Sequence, residues 1–235
     1  MNKDYSHIVF ILDRSGSMAS QADDAIGGFN TFIASQKALP SKATFSLILF
    51  DDKYEQPYDF TPIAMVKELD HKTFVPRGGT ALLDAVGRAI GETGEKLAGM
   101  PEVDRPGRVM VAVLTDGEEN QSRRFSASEV KSMIEHQQKK YAWQITFLSS
   151  DIRASEQALS YGFSVGNTRS ARDIGSAMDG YILNTSRSRS VSHENYVATS
   201  GAAFDAAEID DVLKGSVNLD AAVPLVISKV VDRKI

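Results

Sequence analysis

The sequence of 235 residues contains no cysteine and only four histidines. Without cysteine there are no disulfides, no thiolate metal ligands and no cysteine nucleophile, which fits a reducing compartment. The four histidines stand far apart in the sequence, which disfavours zinc held by nitrogen and sulfur: His7, His71, His136 and His193. Any metal site is therefore expected to use oxygen ligands.

Positive charge and long apolar runs are also scarce. Lysine and arginine total 26 against 31 acidic residues, a net charge of −5, and they are scattered rather than clustered. This pattern does not indicate nucleic-acid binding. No apolar run approaches the roughly 18 residues of a membrane span, and the run at residues 7–12 is shorter than a signal peptide requires. We expect a cytoplasmic protein that binds neither nucleic acid nor membrane.

Four short apolar runs predict buried parallel strands, because they are nearly continuous and rich in β-branched and aromatic residues: residues 7–12, 45–50, 109–114 and 143–148. Helical patterns lie between and after them at 21–39, 81–97, 126–140, 154–160 and 171–183, and Ser126 provides an N-terminal capping signal. Strands that alternate with helices predict an α/β fold with a doubly wound, mostly parallel sheet and helices on both faces. Residues 54–57 predict one short antiparallel edge strand.

The composition changes after residue 184. We expect residues 1–184 to form the domain and residues 185–235 to form a C-terminal extension. In that extension, residues 186–192 are a polar Ser/Arg segment expected to be flexible, followed by a helix at 202–213 and an apolar stretch at 223–231. The extension either packs on its own domain or supports self-association with another copy, and the sequence favours neither.

Polar oxygen donors lie at the ends of three of the predicted elements. The motif Asp13-Arg14-Ser15-Gly16-Ser17 follows the first strand, Gly78-Gly79-Thr80 precedes a helix, and Thr115-Asp116-Gly117 follows another strand. In open α/β sheets the carboxyl ends of the strands form the binding edge, and hydroxyl and carboxylate oxygens suit a hard cation. The alternative is that each motif is an ordinary turn or helix cap.

Other acidic residues near this edge have simpler interpretations. Asp51 and Asp52 are expected in a solvated turn before the edge strand. Asp84 is expected to hydrogen-bond the neighbouring loop. Glu118 and Glu119 are expected to tune the edge electrostatically or to face solvent.

Together, the three motifs resemble the metal-ion-dependent adhesion site (MIDAS) of von Willebrand factor type A (vWA) domains, especially compact bacterial and phage members. The resemblance covers about residues 5–184. It implies that Ser15 and Ser17 ligate the metal directly, Thr80 directly or through water, and that Asp13 and Asp116 hold coordinating waters. It also implies Mg²⁺, with Mn²⁺ possible, and a protein partner that presents Asp or Glu to the metal.

The leading functional hypothesis is therefore a non-enzymatic, cation-dependent protein interaction module, cytoplasmic or, if phage-encoded, associated with the virion. One alternative is a structural or assembly component, for example of a phage particle or a multi-subunit complex, in which the metal mainly stabilises the fold. A metal-dependent phosphoesterase is a weaker alternative, because two-metal phosphoryl chemistry uses several bridging carboxylates.

Overall fold

The structure, a computed structural model, describes residues 1–163, 168–170 and 173–200. Strands and helices alternate along most of this part of the chain. The strands are β1 (Asn2–Asp13), β2 (Lys42–Phe50), β3 (Tyr54–Pro62), β4 (Pro106–Leu114), β5 (Gln144–Ser149) and β6 (Thr168–Ser170). The helices are α1 (Ala22–Lys37), α2 (Leu82–Gly99), α3 (Ala127–Tyr141), α4 (Ile152–Ser160), α5 (Ile174–Ser190) and α6 (His193–Thr199). None of these helices is long and apolar enough to span a lipid bilayer.

The strands form one sheet in the order β3-β2-β1-β4-β5-β6, in which only β2 and β3 pair antiparallel. The predicted doubly wound α/β class is confirmed. β1 lies at the centre, and the chain order reverses on its two sides. Such a switch point opens a crevice at the carboxyl ends of the strands, and β1 and β4 therefore end at the expected binding edge.

Two apolar layers cover the sheet because side chains alternate along each strand. Phe10 of β1 faces α1 and α5, where it packs with Phe29, Phe32 and Tyr181. Ile11, the next residue, faces the opposite layer under α2 and α3. Both faces of β1 are thus sealed, which fixes its register and the position of the loop that follows.

The edge strand is longer than expected: β3 runs from Tyr54 to Pro62 instead of ending near residue 57. It contains two prolines and pairs with β2 through register shifts. An edge strand accommodates proline because one of its sides has no ladder hydrogen bonds to make. Residues 58–62, beyond the expected strand, therefore continue the same edge strand.

The Ser/Arg segment expected to be flexible is instead largely helical, because α5 continues without a break to Ser190. Arg189 is buried and donates hydrogen bonds to the carbonyl oxygens of Gln36 (2.8 Å) and Ser41 (2.7 Å). Ser188 donates to the side chain of Gln144 at 2.8 Å. These distant partners order a sequence without apolar periodicity. The boundary after residue 184 stays a prediction, and the expected helix at 202–213 and apolar stretch at 223–231 lie outside the described residues.

A buried histidine lies on β1. The ring of His7 stacks on Phe60 with 3.6 Å between centroids, and Nδ1 is 3.0 Å from the hydroxyl of Thr44. Burial, assisted by the positive charge of Lys96, lowers the pKa of His7 from its usual 6.5 to about 3. His7 is therefore neutral in the folded protein over a pH range in which the unfolded chain binds a proton.

This difference predicts a pH-dependent loss of stability. Between pH 6.5 and 3 the unfolded state carries one more proton at His7, so the free energy of unfolding should fall as the pH falls, by about 1.4 kcal/mol per unit. Urea unfolding of wild type and His7→Gln at pH 4.5–7 measures the slope, which should be shallower in the variant by that amount. The matched control is His136→Gln, whose side chain is exposed on α3. Equal slopes for wild type and His7→Gln would contradict the prediction.

Candidate metal centre

Three loops meet at the carboxyl ends of β1 and β4. The loop after β1 contacts the turn before α2 through two backbone hydrogen bonds: Gly16 N–H donates to Gly78 O at 3.1 Å, and Arg77 N–H donates to Arg14 O at 2.8 Å. Gly78 has φ +67°, and a Cβ there would lie 2.4 Å from Asp52 Oδ1. Only glycine fits this turn without strain, which explains the sequence before Thr80.

The first motif forms a chain of hydrogen bonds into the third. Asp13 Oδ1 accepts the backbone N–H of Ser15 at 2.6 Å. The hydroxyl oxygens of Ser15 and Ser17 are 3.0 Å apart, and Ser17 donates to Asp116 Oδ1 at 2.8 Å. The two serines therefore present their hydroxyls side by side between two carboxylates.

Thr80 approaches the first motif beside Gly117. A Cβ built on this glycine would lie 3.2 Å from Thr80 Oγ1, 3.3 Å from Ser17 Oγ and 3.8 Å from Asp13 Oδ2. These three oxygens come from the loop after β1 and the turn before α2, and together with Gly117 of the loop after β4 they surround one small space that the absent side chain leaves open. The structure thus brings together all five residues that the sequence singles out, and their role as ligands stays a prediction.

The carboxylate of Asp13 is fully buried at the floor of this space. Burial raises its pKa to about 6, and the negative charge of Asp116 acts in the same direction. Hydrogen bonds from Thr115 Oγ1, at 2.5 Å, and from Ser15 act in the opposite direction. A buried carboxylate without a paired cation side chain, beside three hydroxyls, is a donor set suited to a hard divalent ion.

Asp116 is oriented by residues that the sequence analysis did not identify. Gln21 Nε2 donates to Asp116 Oδ2 at 2.9 Å, and Ser150 donates to Gln21 Oε1 at 2.7 Å. Ser150 follows β5, so a third strand end contributes to the site. Only a comparison of strand ends offers a sequence signal for Ser150, and none is visible for Gln21.

The turn that carries Thr80 is joined to the loop after β4 from both sides. Thr80 N–H donates to Asn120 Oδ1 at 2.9 Å, and Thr80 O accepts the N–H groups of Asn120 and Gln121. The expectation for Asp84 is confirmed, because its carboxylate accepts three successive backbone N–H groups of residues 123–125. Glu119, expected to face solvent or act electrostatically, instead accepts from Leu83 N–H at 2.9 Å. These contacts hold the second and third motifs in register.

A buried ion-pair cluster supports the site from β2, and for Asp51 the expected solvated turn is wrong. Asp51 is fully buried, and its Oδ2 accepts from Arg14 Nε and Arg77 Nε, both at 2.9 Å. Glu55 also bonds both arginines. Burial acts to raise the pKa of Asp51, but hydrogen bonds from Arg77 and Lys53 and the charge of Arg14 together lower it. The hydrogen bond from Arg14 is the main cause that lowers the pKa of Glu55 to about 2.

The donor set is unlike a nitrogen or thiolate metal site. Within the part of the chain that the structure describes, no group of three or more His, Cys, Asp or Glu residues is placed to hold a metal. Hydroxyl groups supply three of the five candidate side chains. This composition fits Mg²⁺, which retains several waters and needs few protein carboxylates.

The fold is that of a vWA domain, as comparison with solved structures shows. Proximal thread matrix protein 1 of the mussel byssus matches with a TM-score of 0.53 and 14% identity over 77% of this chain and 45% of its own. A von Willebrand factor type A structure from Catenulispora acidiphila matches with a TM-score of 0.52 and 15% identity over 79% of this chain and 43% of its own. The pilus adhesin SpaC of Lactobacillus rhamnosus GG matches with a TM-score of 0.53 and 15% identity over 83% of this chain and 31% of its own.

A further structure of the mussel protein is described as having a zinc-occupied MIDAS motif, and it matches with a TM-score of 0.50 at 13% identity over 77% of this chain and 46% of its own. The present chain thus spans less than half the length of each of these proteins. No protein-family model matches the sequence, and no curated protein does.

The ion-pair cluster yields a stability prediction. Asp51→Asn removes the carboxylate charge shared by Arg14 and Arg77 while the arginine of the first motif stays buried, so the free energy of unfolding in urea should fall by about 3 kcal/mol. The control is Glu55→Gln, which removes a half-exposed partner of the same arginines and should cost less than about 1 kcal/mol. Similar losses of unfolding free energy in the two variants would show that the buried charge of Asp51 contributes no more than the half-exposed charge of Glu55.

Proposed function

We propose that the protein is a non-enzymatic, divalent-cation-dependent interaction module. The hydroxyls of Ser15 and Ser17 would hold the ion directly, and Thr80 would do so directly or through a water. Asp13 and Asp116 would hold coordinating waters and orient the serines. The preferred ion is Mg²⁺, with Mn²⁺ as a substitute, because the donors are hard oxygens.

The observation that carries this proposal is the space beside Gly117, where oxygens of Thr80, Ser17 and Asp13 lie within 3.8 Å of one point. The loops that supply them are held in place by hydrogen bonds of their backbone groups, among them Gly16 N–H to Gly78 O and Thr80 N–H to Asn120 Oδ1. A pre-positioned oxygen set of this kind needs little rearrangement to take up a cation.

The exposure of the site favours a ligand from outside. Asp13, Ser15 and Thr80 are buried, whereas Ser17 is exposed and Asp116 is half-buried. A divalent ion held mainly by neutral hydroxyls keeps much of its positive charge, and an Asp or Glu of a protein partner would complete its coordination. The metal would supply electrostatic attraction for that carboxylate.

The chemistry of the site favours binding over catalysis. Two-metal hydrolysis uses several carboxylates that bridge ions about 4 Å apart, whereas the candidate site has two acids, one of them buried and hydrogen-bonded to Thr115. The neighbours in structure include a pilus adhesin and a byssal matrix protein with an occupied MIDAS. They support an interaction role and metal binding in general.

The metal-binding part of the proposal is tested by filling the space between the oxygens. Gly117 does not have positive φ, so Gly117→Ala is compatible with its backbone, and the added methyl group would contact Thr80 and Ser17. We expect Mg²⁺ affinity, measured by isothermal titration calorimetry, to fall at least about tenfold, the loss that even outer-shell changes cause in metal sites. The control is Gly27→Ala, where a Cβ would have nothing within 4 Å. Unchanged affinity in Gly117→Ala would contradict the assignment.

The interaction part predicts that partner capture depends on both the metal and its hydroxyl ligands. Immobilised wild-type protein should retain its partner in Mg²⁺ and release it in EDTA. The double variant Ser15→Ala/Ser17→Ala should capture at least about tenfold less partner, because the loss of direct ligands lowers the affinity of the site for the ion. Ser20→Ala, an exposed serine of the same loop, serves as the control. Capture that persists in EDTA or in the double variant would contradict the proposal.

A further inference from the structure

A cavity of about 410 Å³ lies at the end of the sheet opposite the candidate metal centre. The C-terminal parts of α2 and α3 and the first residues of β4 line it, and Leu97, Val109 and Trp143 provide apolar surface. The 18 residues of α2 extend about 27 Å, which separates the cavity from Thr80. The cavity is therefore no part of the metal centre.

The rim of the cavity carries exposed apolar side chains. Tyr141 at the end of α3 is 53% exposed, and Val197 of α6 is 45% exposed. They are two of the few large apolar side chains that the described residues leave in contact with solvent. Exposed apolar surface that continues into an apolar cavity is typical of a docking site.

The charge around the cavity has one sign. Arg105 and Lys140 line it, and none of the described lining residues is acidic. Arg105 donates to the carbonyl oxygens of Met100 and Ala98, both at 2.9 Å, which engages two of its N–H groups but leaves its charge without a counterion. In the described part of the chain neither cation has a carboxylate within ion-pair distance. A chain of net charge −5 thus has a cationic, apolar surface at this end.

The chain leaves the described structure beside this surface. Val197, which lines the cavity, lies in α6, and α6 ends at Thr199. A few residues later, residues 202–213 combine four acidic residues with large apolar ones and contain no lysine or arginine. The acids are Asp205, Glu208, Asp210 and Asp211, and the large apolar residues are Phe204, Ile209, Val212 and Leu213.

We propose that residues 202–213 dock into this cavity of the same chain. Their apolar side chains would cover Leu97, Val109 and Trp143, and their carboxylates would face Arg105 and Lys140. Three independent features agree on this occupant: the apolar lining, the charge complementarity and the short connection from α6. The proposal concerns the end of the sheet remote from the metal and holds whether or not the metal centre binds a partner.

Cysteine cross-linking in the full chain tests the docking, since the protein has no cysteine of its own. Tyr141→Cys on the rim is combined in turn with Phe204→Cys, Ile209→Cys or Leu213→Cys, and a bis-maleimide reagent is added. We expect an intramolecular product, seen as a monomer of altered mobility, for at least one pair. The matched control pairs each of these with Ile152→Cys, a 66% exposed position at the metal end of the sheet, which should give at least about tenfold less product, because its effective concentration is low.

Two results would overturn the proposal. A cross-linked dimer in place of the monomeric product would show that a second copy supplies the segment. A yield no higher than that of the Ile152 control would show that the segment does not dock at this cavity. In the positive pair, changing the four acids to their amides should lower the yield about fivefold, because charge pairs at a rim contribute modestly to binding. An unchanged yield would overturn the assigned pairing with Arg105 and Lys140.

Discussion

The central position of β1 is the constraint on which the site depends. Parallel pairing with β2 on one side and β4 on the other fixes its register, and the two apolar layers seal both of its faces. Asp13 then falls at the point where the sheet order reverses, level with the end of β4. A shift by one residue would turn Phe10 away from its aromatic cluster and move the whole first motif. The position of the hydroxyls is therefore set by the packing of the core.

The arginine inside the first motif forms its ion pairs away from the candidate metal centre. Arg14 turns away from Ser15 and Ser17 and is neutralised by Asp51, at 2.9 Å, and by Glu55. Its burial is tolerated because each of its partners is itself well hydrogen-bonded. The carboxylates of Asp13 and Asp116 consequently remain the charges that face the open space.

Local sequence patterns predicted the fold and the five candidate residues, because strand runs, helix caps and glycine turns depend on neighbours in the chain. Asp51, Gln21 and Asn120 required contacts 26 to 95 residues away, and no local pattern encodes such pairs. The Ser/Arg end of α5 was misread for the same reason, since Arg189 is ordered by Gln36, 153 residues distant. The three-residue strand β6 was too short to give a periodic signal.

The hydrogen bonds at the candidate metal centre are compatible with a bound cation. A hydroxyl has one proton to donate and two lone pairs, and Ser17 directs its proton to Asp116. Since Ser17 donates to Asp116, Ser15 is the donor in the 3.0 Å contact between the two serines, which leaves one lone pair of Ser17 unused. Gln21 donates to the other carboxylate oxygen of Asp116. The bond from Ser17 to Asp116 orders the loop, and under the proposed function it would also aim the hydroxyl oxygen at the ion. A site built in this way would gain affinity from preorganisation and would leave the positive charge of the proposed ion for an acidic group of a partner.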